Sequence, residues 1–175
     1  MPDFTRELVC GTIIKNAIGE KMKVIFLDFD GVLNYERYIR AYKGFGLIID
    51  PERMKLLKQI TDKTGAVIVL STSWREHWSE NAENCDEIGH QIIDLFSEYD
   101  IKIIGKTTDV WLPRELQIRL WLHNHPEIEG FAVIDDLTLE DPVLEGHLVK
   151  THNGRKGLDE ENVKQAIEIL LGGAR

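Results

Sequence analysis

Long apolar runs are missing from this chain of 175 residues. None approaches the roughly 18 residues that cross a bilayer, and no charged segment leads into an apolar one as in a secretory signal. A soluble, unsecreted, cytoplasmic protein without a membrane partner is expected. Cysteine is scarce. Cys10 and Cys85 stand far apart, with no CxxC and no Cys/His cluster, which excludes a disulfide framework and suits a reducing compartment. Histidine spacing offers little to a metal motif: His77, His90, His123, His125, His147 and His152 form no HExxH, and their one HxH, His123-Asn124-His125, stands alone. Repeats, low-complexity tracts and Pro/Ser-rich linkers are also absent. We therefore expect an N-terminal extension over residues 1–21 and a single domain over 22–175. Basic side chains are in deficit, 21 against 30 acids, for a net charge of −9. Between Glu76 and Asp100 lie the acids Glu76, Glu80, Glu83, Asp86, Glu87, Asp94, Glu98 and Asp100, with no Lys or Arg among them. Such a balance repels polyanions, so extended nucleic acid is not an expected partner.

What is present is a regular alternation of elements. Val24-Ile25-Phe26-Leu27 is too short for a helix and rich in β-formers, so it reads as a buried parallel strand. Ala66 to Leu70, Ile101 to Ile104 and Phe131 to Ile134 repeat the pattern, and His147-Leu148-Val149 predicts a short fifth strand. Helices fall between them. Asp50-Pro51 supplies an N-cap and a first-turn proline ahead of Met54, Leu57 and Ile60, with Gly65 as the stop. Ile88, Ile92 and Leu95 mark a second helix, and Leu116, Leu120 and Trp121 after Pro113 a third. Asp159 caps a last helix with Val163, Ala166, Ile167 and Leu170. This order predicts an α/β, Rossmann-like, mainly parallel sheet with helices on both faces. Ligands of such sheets bind beyond the carboxyl ends of the strands.

Those ends are rich in oxygen. The first strand runs into Asp28-Phe29-Asp30-Gly31, the second into Ser71-Thr72-Ser73-Trp74-Arg75, and the fourth into Asp135-Asp136. Acids clustered in a low-dielectric site repel one another unless a cation holds them, and hard carboxylate ligands suit Mg²⁺. Alternate residues of an extended strand end face the same way, so Asp28 and Asp30 can address one substrate from different distances. One can attack phosphorus while the other protonates the leaving oxygen and later activates water. Gly31 permits the sharp turn that opens this edge.

Val24 to Gly31 resembles the first motif of the haloacid dehalogenase (HAD) superfamily. Val67 to Thr72 looks like its second motif, Val133-Ile134-Asp135-Asp136 like its acidic fourth, and Arg114 is the best candidate for its basic third, with Lys106 a rival. The resemblance implies that Asp28 is the nucleophile and a metal ligand. It implies that Asp30 is the general acid/base and binds metal through its carbonyl. Thr72 would hydrogen-bond the transferring phosphoryl group, Arg114 would neutralise it, and Asp135 would bind Mg²⁺ directly, with Asp136 assisting. Ser71 and Ser73 compete with Thr72 for the second-motif role. Ser71, Arg75 and Lys106 are further substrate-binding candidates. The acid at position 30 implies phosphoryl chemistry rather than carbon–halogen cleavage, so a phosphomonoester is the implied substrate. Leu33-Asn34, the Ser71 to Arg75 run, Asp135-Asp136 and Gly157-Leu158 are also similar to phosphatase-like domains of multi-domain RNA-repair proteins, which implies nucleotide or nucleic-acid ends. A phosphate-binding domain without catalysis is the remaining alternative. Superfamily members often carry a cap domain. The stretches 31–70 and 75–114 leave little chain for one, so a minimal cap or none is expected, with Tyr35, Arg37, Tyr38, Arg40 and Lys43 as a small flap. Placed at an exposed strand end, Asp28→Asn is expected to change stability little.

Overall fold

A computed structural model describes residues 22–108, 111–152 and 154–172. The proposed extension over 1–21, including Cys10, lies outside them. Five parallel strands form one sheet in the order β3-β2-β1-β4-β5: β1 Met22–Leu27, β2 Val67–Leu70, β3 Ile103–Lys106, β4 Ile128–Asp135 and β5 Leu148–Lys150. The helices are α1 Glu36–Ala41, α2 Pro51–Thr64, α3 Glu87–Glu98, α4 Arg114–His123 and α5 Glu160–Leu170. No helix among the described residues is long and apolar enough to cross a membrane.

Alternation along the strands divides the core. Ile25, Leu27, Ile68, Leu70, Ala132 and Ile134 face α2, α3 and α5 through Met54, Leu57, Ile60, Ile92, Phe96, Val163, Ala166 and Leu170. Val24, Phe26, Val69 and Val133 face the opposite layer, where α4 contributes Ile118 and Trp121. A parallel sheet buried on both faces explains why β1, β2 and β4 carry the apolar runs Val24–Leu27, Val67–Leu70 and Phe131–Ile134. Helix α2 forms as its sequence predicts: Asp50 accepts from the Glu52 N–H at 3.0 Å, and Gly65 ends it with φ at +70°.

Several expectations need correction: β4 begins at Ile128, three residues ahead of Phe131, and His147 ends a 3₁₀ turn before β5. Strand β3 begins at Ile103 rather than Ile101, because the Ile101 N–H bonds the Phe96 carbonyl and closes α3. On α4, Leu116 and Leu120 are exposed, while Gln117 turns inward. The Gln117 Nε2 donates to the Leu112 carbonyl at 2.7 Å, and its Oε1 accepts from the Thr107 hydroxyl at 3.2 Å. Those bonds set the helix face in place of the leucines. No separate cap domain interrupts the described residues; the flap is the single short helix α1 and the loop after it.

The strand order reverses between β1 and β4, the switch point where doubly wound sheets leave a crevice. Register brings the strand ends level there. Leu27 pairs with both Leu70 and Ile134, so Asp28, Ser71 and Asp135 leave the sheet side by side. The Asp28 N–H bonds the Ile134 carbonyl at 3.0 Å, and the Ser71 N–H bonds the Leu27 carbonyl at 2.9 Å.

Candidate active site

Asp28 and Asp135 are buried at this crevice, with Asp136 beside them half-buried. One oxygen from each of the three lies within 4.8 Å of the others. Tight turns bring them together. Gly31 has φ at +78°, and a Cβ on it would meet the Asp136 Oδ2 at 2.5 Å, so only glycine lets the two loops approach this closely. The buried Thr151 hydroxyl donates to the Gly31 carbonyl at 2.8 Å and ties β5 to the same turn.

Arg114, the first residue of α4, reaches across the crevice. Its Nη1 lies 2.6 Å from the Asp135 Oδ2 and 3.6 Å from the Asp28 Oδ2, and it also donates to the Ser71 carbonyl. One guanidinium against three carboxylates leaves two negative charges uncompensated. The electrostatics reflect this. Burial pushes the Asp28 carboxyl up to about 7 from its ordinary 3.8; Arg114, Thr72 and the Phe29 N–H pull it down, and Asp135 adds to the rise. Burial raises Asp135 as well, against the pull of Arg114. A divalent cation bound by hard oxygens fits this donor set and its excess charge.

The second strand end separates its hydroxyls by roles. The Thr72 side chain hydrogen-bonds Asp28 and accepts from the Trp74 N–H at 3.4 Å. Ser71 Oγ is fully buried and has no hydrogen-bond partner. Ser73 opens a 3₁₀ turn, Ser73–His77, rather than joining the crevice. Arg75 is buried in that turn. Its Nη1 holds the Thr72 carbonyl at 2.8 Å, its Nε lies 3.6 Å from Glu76 Oε1 without a hydrogen bond, and burial lowers its pKa. Lys106 points elsewhere: its Nζ donates to the carbonyls of Arg75 at 3.0 Å and Trp78 at 2.7 Å. Of the two basic candidates, Arg114 is the one on the carboxylates.

Asp30 is exposed, and its side chain does not join the group of three. Instead Asn34 Nδ2 donates to its Oδ1 at 2.8 Å and Trp74 Nε1 to its Oδ2 at 2.9 Å. Neither partner is assigned a role by sequence reasoning, although both belong to the runs that carry the RNA-repair likeness. The signal was there in kind. A half-buried indole at a strand end needs an acceptor for its N–H, and Asn34 stands four residues beyond Asp30.

The flap starts and ends at this point. Asn34, 1% exposed, also donates to the Ile48 carbonyl at 3.0 Å, so residues 35–47 leave and return beside Asp30. Tyr35, Tyr38 and Tyr42 neighbour one another with ring centroids 5.9 and 6.1 Å apart. Arg37, Arg40 and Lys43 are exposed on the same segment.

Neither the curated proteins nor the solved structures contain a match to the chain. A family model does match, over residues 24–163, described as the HAD domain in Swiss Army Knife RNA repair proteins. That span holds every strand end described above and most of the chain, so this protein belongs to the family of HAD domains found in Swiss Army Knife RNA repair proteins.

Proposed function

We propose that this protein is a Mg²⁺-dependent phosphohydrolase that passes the phosphoryl group of a monoester through the Asp28 carboxylate to water. The observation that carries the reading is the placement of Asp28 within one constellation: Thr72 and Arg114 on its oxygens, and Asp135 and Asp136 beside it. Asp28 Oδ attacks phosphorus while the bond from phosphorus to the ester oxygen breaks and Asp30 gives that oxygen a proton. Asp30 then takes a proton from water, which attacks phosphorus and releases Asp28 and inorganic phosphate. Arg114 and Thr72 offset the charge of the phosphoryl oxygens in flight. Asp28, Asp135, Asp136 and the Asp30 carbonyl would hold Mg²⁺, whose charge keeps Asp28 ionised and screens the phosphoryl group from the carboxylates.

A second reading, a terminal phosphate on a nucleotide or RNA strand as substrate, is favoured by the family's RNA-repair membership and by the basic, tyrosine-lined flap at the mouth. Locally the flap carries three basic residues (Arg37, Arg40, Lys43) against Glu36, reversing the sign of the whole chain. An uncapped mouth admits such an end without requiring a long bound tract.

The test is phosphate release from aryl phosphate, small alkyl phosphates, nucleotides and end-phosphorylated oligoribonucleotides, with Mg²⁺ or chelator. Activity is expected with Mg²⁺ alone, and Asp28→Asn is expected to abolish it. Turnover by Asp28→Asn within about tenfold of wild type, a barrier change near 1.4 kcal/mol, would refute the nucleophile. Equal rates on strand ends and small esters would remove the second reading.

A further inference from the structure

Asp30 stands on an exposed turn, where a carboxylate ordinarily samples several rotamers. Here both oxygens are engaged, Oδ1 by Asn34 and Oδ2 by Trp74. Asn34 is itself locked, since its Oδ1 accepts from the Gly31 N–H at 3.1 Å and its amide also serves Ile48. Trp74 belongs to the 3₁₀ turn after β2, which is braced from three directions. Thr72 caps its N–H, Arg75 holds the Thr72 carbonyl, and Lys106 holds the carbonyls of Arg75 and Trp78. The indole therefore transmits the position of the second strand end to a side chain on the first.

Distance then says what passes by the ring. An acid that protonates a leaving oxygen must come within about 3 Å of it. The Trp74 Nε1 is 2.9 Å from the Asp30 Oδ2, so an alcohol protonated by that carboxylate would pass near the indole edge. The ring is half-buried, packed in part against the core, with the His77 ring tilted 46° to it at 6.1 Å. Aromatic surface at such a place favours a planar group in the leaving alcohol, as bases stack on aromatic side chains.

We propose that Trp74 is the positioning and specificity residue of this site: its N–H aims Asp30 at the leaving oxygen, and its ring selects leaving alcohols that carry a planar base. This rests on the phosphohydrolase reading above.

Two variants separate the functions. Trp74→Phe keeps a ring of similar shape at a half-buried position and removes the donor; Trp74→Leu removes both. The substrates are glycerol phosphate, a nucleoside 3′-monophosphate and nitrophenyl phosphate, with saturating Mg²⁺. The quantity is kcat/KM, which ends at phosphoryl transfer to Asp28 and is blind to slow hydrolysis of the intermediate. Trp74→Phe is expected to lower kcat/KM for the two poor leaving groups by about tenfold more than for nitrophenyl phosphate, which hardly needs the acid. Wild type is expected to favour the nucleotide over glycerol phosphate by about fivefold or more, and Trp74→Leu to erase that preference. A merely structural tryptophan would lower all three esters alike, and that result overturns the proposal. So does a nucleotide preference that is missing in wild type or survives in Trp74→Leu. If wild type hydrolyses no ester at all, the phosphohydrolase reading itself falls, and this inference with it.

Discussion

Asp28→Asn keeps the shape of a buried side chain and removes its charge, so its effect on stability can be worked from the site. The carboxyl titrates at about 7 in the folded protein against 3.8 for the free group. Between those values the folded state keeps a proton that the unfolded state has released, so stability falls as pH rises through this window. The full cost above pH 7 is about 4 kcal/mol, from 1.36 kcal/mol per pH unit. Asn carries no such cost. Asp135 is present in both proteins, and its repulsion of an ionised Asp28 is already contained in the Asp28 shift. The metal-free variant should therefore be more stable than wild type, by a margin that widens by about 2–3 kcal/mol between pH 5 and pH 8. For a chain of this length that is about 5–10 °C in Tm. The assay is thermal unfolding in chelator across this range, repeated with Mg²⁺ at pH 8. There the cation should stabilise wild type by about 2.7 kcal/mol at one hundred times its Kd and close much of the gap. A gap of constant size from pH 5 to pH 8 in chelator would refute the burial argument. The result also replaces the expectation of a neutral substitution: Asp28 is 6% exposed, not a solvated strand end.

Asp135→Ala should raise the Mg²⁺ concentration for half-maximal activity far more than Asp136→Ala, because Asp135 is fully buried against Asp28 while Asp136 is half-open to water; Mg²⁺ titrations of both variants check this, and equal shifts would count against it. Lys106→Met should cost about 1.5–3 kcal/mol of stability through the two carbonyls left unserved, whereas Arg114→Met should lower kcat/KM by about a hundredfold or more. Denaturant unfolding and steady-state rates on the two variants distinguish these roles, and the reverse pattern would make Lys106 the phosphoryl-binding residue.

How much of this was legible beforehand depended on where the physics is local. Strands β1, β2 and β4 announce themselves because their carboxyl-terminal halves are buried on both faces, so each holds an apolar run, Val24–Leu27, Val67–Leu70 or Phe131–Ile134, that stops at a carboxylate or a hydroxyl. Strand β3 lies at the sheet's edge and is half-buried throughout; Gly105 and Lys106 belong to it although neither is a strong strand former. Its bounds accordingly differ from those its apolar run predicts. Leucine spacing predicts one face for helix α4, and one buried glutamine with two specific partners outweighs it.

The same distinction runs through the site. Asp28 and Asp135 meet because parallel pairing puts Leu27 opposite Ile134, so a strand-by-strand reading already places them together. Asp30 and Trp74 meet across 44 positions through the shape of two turns, for which periodicity provides no rule. Thr72 and Ser71 show the boundary between these cases. Register brings both to the crevice, but only the backbone angles of the turn decide which hydroxyl reaches Asp28. Register thus assembles the carboxylate cluster, while the turns fix the side chain of Asp30, the acid of the proposed reaction. Under the proposed function, the turn that carries Trp74 is the place where a substitution can alter substrate preference without disturbing the sheet.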